Sequence, residues 1–229
     1  MPTVLAFDVF GTVVDWHGSI VRELDTLVPS LDAAEFARAW REEYAPSMQR
    51  VMSGELGWVK LDHLHRMNLD KVLSDFGVDS LSEEQVAHLN LVWHRLQPWP
   101  DTVEGLVRLR ERFTLCTLSN GNLGLLANMA KNAGLPWDCI LSAEVFNAYK
   151  PSPDTYLGVA DVFDIDPGEV MLVAAHQSDL DAARACGLQT AYIERPEEFG
   201  ADRIKDVSPQ PDNTLHASDF IDLARQLEC

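Results

Sequence analysis

The sequence predicts an α/β protein: a mostly parallel sheet covered on both faces by helices, with a helical block inserted after the first strand. Three observations predict it. Short continuous apolar runs, such as Val4-Leu5-Ala6-Phe7 and Val170-Met171-Leu172-Val173-Ala174, read as strands buried on both faces. After Pro100 such runs alternate with helical stretches, which is the pattern of βαβ units. Between residue 15 and about residue 95, apolar residues recur instead at three- and four-residue spacing.

The elements follow in order. Val4–Phe7 is the first strand. Phe36, Trp40, Tyr44 and Met48 then mark one helical stripe; Leu61, Leu64, Leu69, Val72, Leu73 and Phe76 mark another. Gly77 is a helix stop. Ser82-Glu83-Glu84-Gln85 has the spacing of a capping box and opens a helix expected to reach Trp93. Pro98-Trp99-Pro100 breaks that helix. Beyond it the pattern gives helix 101–112, strand 114–118, helix 123–133, strand 139–142 and helix 153–163. Strand 170–174, helix 180–186, strand 190–193 and helix 220–227 complete it. Residues 1–14 and 99–229 thus form the core, and 15–98 a helical cap hinged near 12–16 and 98–101. The cap sits over the sheet's carboxyl edge, where open α/β sheets bind ligands.

Composition narrows the class. With 229 residues, 46% hydrophobic and 24% charged, the chain has an ordinary globular makeup with room for one large domain or a core with an insertion. A formal charge of -18 argues against nucleic acid and against an anionic membrane surface as partners. An anionic ligand would need local cations to offset that field. Cys116, Cys139, Cys186 and Cys229 are scattered without metal spacing, which suits reduced thiols in the cytoplasm. MPTVLAF lacks the basic start of a signal peptide, and no apolar run is long enough to span a bilayer.

Chemistry-bearing residues fall just past the predicted strands. Asp8 follows the first, Ser119-Asn120 follow TLCTL, Lys150 precedes a helix, and His176 and Asp179 follow VMLVAA. The topology gathers them at one rim. A carboxylate nucleophile, polar donors, a lysine and a second carboxylate make a reaction site.

Asp8-Val9-Phe10-Gly11-Thr12-Val13, then Leu118-Ser119-Asn120, then Lys150-Pro151, then Asp179 resemble the ordered motifs of the haloacid dehalogenase superfamily. The resemblance covers the whole chain and implies a Rossmann-like core with a helical cap. Phe10 makes the finer choice. Superfamily phosphatases generally carry an aspartate two residues after the nucleophile, to protonate a departing alkoxide. A halide leaves as a stable anion and needs no acid, so an apolar ring at this position suits displacement of halide. The pattern is therefore similar to that of the type II 2-haloacid dehalogenases.

That resemblance implies further roles, each beside a plainer structural alternative. Arg41 would receive the leaving halide, or is a surface arginine on an amphipathic helix. Asn120 would lie near the halide and Ser119 would hold the substrate carboxylate, with backbone amides; the two also suit a turn or cap, and both readings can hold at once. Lys150 would keep Asp8 ionised, or is a surface lysine before a proline. Thr12 would hold Asp8, or caps the turn. Tyr156 matches a family tyrosine, or packs in the core. Asp179 would position or activate water, or caps the helix at Leu180. Phe10 itself is either a drying ring or simply core. Where many members read Ser-Ser-Asn, this chain has Ala174-Ala175-His176. His176 would donate to the nucleophile or the halide, or relay a proton with Asp179; a passive strand-end histidine is the alternative.

The expected reaction has two steps. Asp8 displaces halide from C2 of a small 2-haloacid and forms an aspartyl ester, which water then hydrolyses to the 2-hydroxy acid. No cofactor and no metal are expected, and the partners are a small anionic halogenated acid and water. The resemblance also implies a homodimer. Two rival readings stand beside this one. One is a Mg²⁺-dependent phosphatase, in which Asp8, the Phe10 carbonyl and Asp179 hold the ion. The other is a catalytically silent binding homologue.

Overall fold

The computed structural model describes residues 1–229. Strand β1 (Val4–Phe7) leads through a tight turn to β2 (Val14–Asp15). Helices α1 (Trp16–Leu27), α2 (Ala33–Glu42), α3 (Tyr44–Met52), α4 (Leu61–Asp75) and α5 (Glu83–Asn90) follow. The chain returns along β3 (Gln97–Pro98). The rest alternates: α6 (Thr102–Leu109), β4 (Thr114–Ser119), α7 (Leu123–Ala133), β5 (Cys139–Ser142), α8 (Ala143–Phe146) and α9 (Pro153–Phe163). Then come β6 (Val170–Ala174), α10 (Gln177–Ala185), β7 (Gln189–Ile193), β8 (Leu215–Ala217) and α11 (Phe220–Gln226).

The main sheet has the order β5-β4-β1-β6-β7-β8, and every pairing in it is parallel. β1 lies inside, between β4 and β6, with Phe7 level with both Thr117 and Val173. Its side chains alternate between two apolar layers. Leu5 and Phe7 pack with Leu106, Leu125, Met129 and Phe220 of α6, α7 and α11. Val4 and Ala6 pack with Tyr156, Val159, Leu180 and Ala183 of α9 and α10. A strand apolar on both sides is what such a two-sided core requires. The first layer continues into the helical block through Trp16, Phe36, Trp40, Leu64 and Trp93.

Several boundaries differ from expectation for local reasons. The stripe Phe36-Trp40-Tyr44-Met48 spans two helices, because α2 ends at Glu42 and α3 starts at Tyr44. The capping box at Ser82 is present, but α5 ends at Asn90 and Leu91–His94 tighten into a 3-10 turn. The Gly77 stop is as expected: it takes φ +66°, and the Val78 N–H closes the end onto the Leu73 carbonyl. α6 ends at Leu109, short of residue 112. α10 starts at Gln177, so Asp179 sits inside its first turn and makes no capping bond. The sequence reading did not include α8, β8 or the β2–β3 ribbon. In the ribbon Val14 pairs with Pro98 and Asp15 with Gln97, tying together the two chain crossings at the base of the helical block.

Candidate active site

The rim is built by segments leaving β1, β4, β5, β6 and β7. The Asp8 N–H still donates to the Val173 carbonyl at 3.0 Å, so the backbone of Asp8 belongs to the sheet ladder while its side chain leaves it. The chain then reverses at Gly11, whose φ of +84° needs glycine. A Cβ there would also lie 2.3 Å from Glu198 Oε1. Arg195, from the loop after β7, donates to the Thr12 carbonyl at 2.9 Å and grips Asp101 with two bonds of 2.9 and 2.8 Å. This bidentate pair pins the turn after Asp8 to the start of α6.

Asp8 is 7% exposed. Its Oδ2 accepts from Thr12 Oγ1 at 2.7 Å and from His176 Nδ1 at 3.0 Å; its Oδ1 accepts from Lys150 Nζ at 2.9 Å. Burial by itself would raise this carboxyl. The Lys150 and His176 charges outweigh burial and hold it well below the usual carboxylate range. Asp8 is therefore fully ionised at neutral pH. The Thr12 hydroxyl also accepts from the Ala175 N–H at 2.9 Å, which locks its orientation.

Lys150 is buried, not at the surface. Its ammonium bridges Asp8 and Asp179 Oδ2, and these carboxylates lift its basicity against the pull of burial. The Tyr156 hydroxyl donates to Asp179 Oδ1 at 2.6 Å; burial and that carboxylate push the phenol upward. The oxygens of Asp8 and Asp179 that face each other are both taken by Lys150. The Lys150 ammonium thus occupies the position between the two carboxylates.

A cavity of about 320 Å³ opens at Asp8. Of the expected site residues, Asp8, Phe10, Arg41, Asn120, Lys150, Tyr156, His176 and Asp179 line it. Phe10 is 2% exposed and stands edge-on to Trp93 at 5.5 Å, so it is core and cavity wall at once. Arg41 reaches in from the helical block with its guanidinium 4.0 Å from the centre of the Tyr44 ring, and it makes no ion pair. The Asn120 carbonyl oxygen accepts from the Lys150 N–H at 2.8 Å, fixing the lysine's backbone.

Thr12 and Ser119 are not in the lining. Thr12 lies beneath Asp8 as its holder. Ser119 is buried, and its hydroxyl accepts from the Gly121 N–H at 3.1 Å, so it shapes the turn after β4. His176 does not bond to Asp179, so the expected relay between them is absent. Its Nε2 lies 2.7 Å from Glu198 Oε1 instead.

Glu198 and Tyr44 were not among the expected residues. Glu198 follows β7, so extending the strand-end inventory by one strand would have reached it. Its burial among Trp16, His176 and Lys205 has no local sequence signal. A second cavity, about 520 Å³, shares Arg41, Tyr44, Ala45 and His176 with the first. It adds Arg38, Arg203 and Lys205 to the lining, together with Glu42 and Glu198, and each of these three cations pairs with a carboxylate.

Comparison with known proteins points the same way. A family model described as haloacid dehalogenase-like hydrolase matches residues 2–187. An (S)-2-haloacid dehalogenase of Pseudomonas sp. (strain CBS-3) is 30% identical over 202 residues, covering 84% of this chain and 86% of that protein. The solved L-2-haloacid dehalogenase PA0810 superposes with a TM-score of 0.93 at 46% identity, over 99% of both chains. The solved defluorinating L-2-haloacid dehalogenase Rha0230 gives 0.95 at 44% identity, over 100% of this chain and 96% of that one.

Proposed function

The chain belongs to the haloacid dehalogenase-like hydrolases, and we infer that it is a 2-haloacid dehalogenase of the (S)-specific type. It converts small 2-haloacids to 2-hydroxy acids and halide. One observation carries the reading: a buried, fully ionised Asp8 faces a small cavity, with the Phe10 ring where a phosphatase would hold its general acid.

The mechanism that this geometry supports has two stages. Asp8 attacks C2 in line, its carboxylate oxygen forms the new bond, and the carbon–halogen bond breaks with its electron pair leaving on the halide. Arg41 and the Asn120 amide receive the halide. Displacement inverts C2. A nearly dry carboxylate is the better nucleophile, and the Phe10, Tyr44 and Met48 side chains keep water from it. Water held by Asp179 then hydrolyses the ester, while Lys150 balances the charge of both carboxylates. Residues 15–98 act as a cap that closes over this cavity, and the β2–β3 ribbon is its hinge.

Four free cysteines suit a cytoplasmic setting, and family membership supports a homodimer, which light scattering tests. No helix is long and apolar enough to cross a membrane. The activity is tested by ion chromatography of halide released from chloroacetate and from both enantiomers of 2-chloropropionate, with excess EDTA present. EDTA-resistant chloride from the (S) enantiomer is the expected result. No chloride, with EDTA-sensitive hydrolysis of a phosphate ester, refutes the reading.

A further inference from the structure

Two acceptor-only carboxylates grip His176 from opposite sides. Nδ1 lies 3.0 Å from Asp8 Oδ2 and Nε2 lies 2.7 Å from Glu198 Oε1. A neutral imidazole has one donor, so only the imidazolium satisfies both contacts. Glu198 is 0% exposed, and its other oxygen accepts from Lys205 Nζ at 2.7 Å. The Lys205 ammonium is anchored in turn on the Ala175 carbonyl at 2.6 Å. A buried acid with this much support is an expensive feature unless it serves something.

The two Asp8 oxygens are not equivalent. Oδ2 accepts two bonds, from Thr12 and His176, and both its lone-pair sites are occupied. Oδ1 accepts one bond, from Lys150, and keeps one site for the cavity. On the dehalogenase reading above, Oδ1 is then the attacking atom and Oδ2 becomes the ester carbonyl. We propose that Thr12 and His176 form the oxyanion hole for hydrolysis of the Asp8 ester, and that Glu198 is a positioning residue that fixes His176 as a charged donor on both nitrogens.

The step balances as follows. Water adds to Asp8 Cγ, one of its protons passes to Asp179, and the carbonyl π pair moves onto Oδ2. The new charge develops 2.7–3.0 Å from two donors already in place, which is how preorganised donors lower a barrier. As the pair returns to the carbonyl, the Cγ–Oδ1 bond breaks and the departing alkoxide takes the proton back from Asp179. The remaining acidic proton leaves to solvent and Asp8 is regenerated. His176 moves no proton in this sequence; it only donates.

The charged groups around His176 are Asp8 from the β1 loop, Glu198 and Lys205 from the segment after β7, Lys150 and Asp179 across the cavity, and Arg41 from α2. Burial would lower the imidazole, but Glu198 and Asp8 raise it to about 9. Glu198 would itself be raised by burial, yet His176 and Lys205 bring it down to about 2.

The test is Glu198→Gln, which keeps the shape and removes the charge. With 2-chloropropionate, intact-mass spectrometry during turnover reads the fraction of enzyme held as ester, and kcat is followed against pH. The variant is expected to accumulate ester as its main form, with the alkaline fall in kcat moved at least one pH unit toward neutrality. An unchanged ester fraction and an unchanged alkaline limb overturn the proposal, as does an equal loss of both steps without ester. A wild-type enzyme that frees no halide would sink the functional reading instead. The wild type offers a check that needs no variant. Nitrogen-15 shifts of His176 should report imidazolium through pH 8, and a neutral tautomer there overturns the assignment.

Discussion

Replacing Lys150 with methionine keeps an unbranched side chain one atom shorter and removes the one cation shared by Asp8 and Asp179. The ammonium donates to an oxygen of each, and all three side chains are at most 10% exposed. For a tetrahedral ammonium those oxygens lie about 4–5 Å apart, so two ionised carboxylates left facing each other repel by about 3–4 kcal/mol at an effective dielectric of 20. Unpairing a buried charge costs about 3–5 kcal/mol in general, which agrees. Asp8 keeps Thr12 and His176, but Asp179 keeps only Tyr156. The expected loss at pH 7 is therefore about 3–4 kcal/mol in urea unfolding.

The pH dependence sets this apart from a mere packing defect. In the wild type the Asp8 carboxyl is depressed in the folded state. Its stabilisation is present above the model value of 3.8 and is lost as pH falls below it. Between pH 5 and 7 Asp8 itself adds no slope, while His176, raised to about 9, gives the wild type a shallow decline as pH rises from 5 to 7. In Lys150→Met the crowded pair also takes up a proton more readily folded than unfolded, so stability rises more steeply than in the wild type as pH falls from 7 to 5 and the gap between the two narrows. A variant whose loss is constant over that window, or whose stability matches the wild type at pH 7, refutes the bridging-cation account.

Two further outcomes follow from the same contacts. Phe10→Ala removes a buried ring packed against Trp93 and Tyr44, and should cost about 3–5 kcal/mol of stability in denaturant melts, with slower halide release from a wetter cavity. Arg41→Gln removes a guanidinium that pairs with no carboxylate and lies over the Tyr44 and Trp16 rings, so stability should change by about 1 kcal/mol or less while kcat/KM for halide release falls at least about tenfold.

The sequence carried much of the cavity's polar lining because that part obeys a simple rule. Asp8, Asn120, Lys150, His176 and Asp179 each stand just past a strand end or before a helix, and a parallel sheet gathers such positions at one edge. Phe10 was singled out because an apolar ring stands two residues after Asp8, where a phosphatase would carry an acid. The supporting half was hidden. Glu198 and Arg195 act through burial and through partners far away in the chain, and neither leaves a periodic trace. Tyr44 continued a helical stripe across a break at Glu43, so it read as core although it borders the cavity. The β2–β3 ribbon, two residues per strand, is too short for any alternation to appear, and β8 offers only Leu-His-Ala.

The most direct measurement is a single turnover of (S)-2-chloropropionate by excess enzyme in ¹⁸O-water, followed by mass spectrometry of the peptide that contains Asp8 and of the product. Nucleophilic attack by the aspartate predicts heavy oxygen in Asp8 and an unlabelled lactate hydroxyl. Heavy oxygen in the lactate with none in Asp8 would mean that water attacks C2 itself, and would contradict the account.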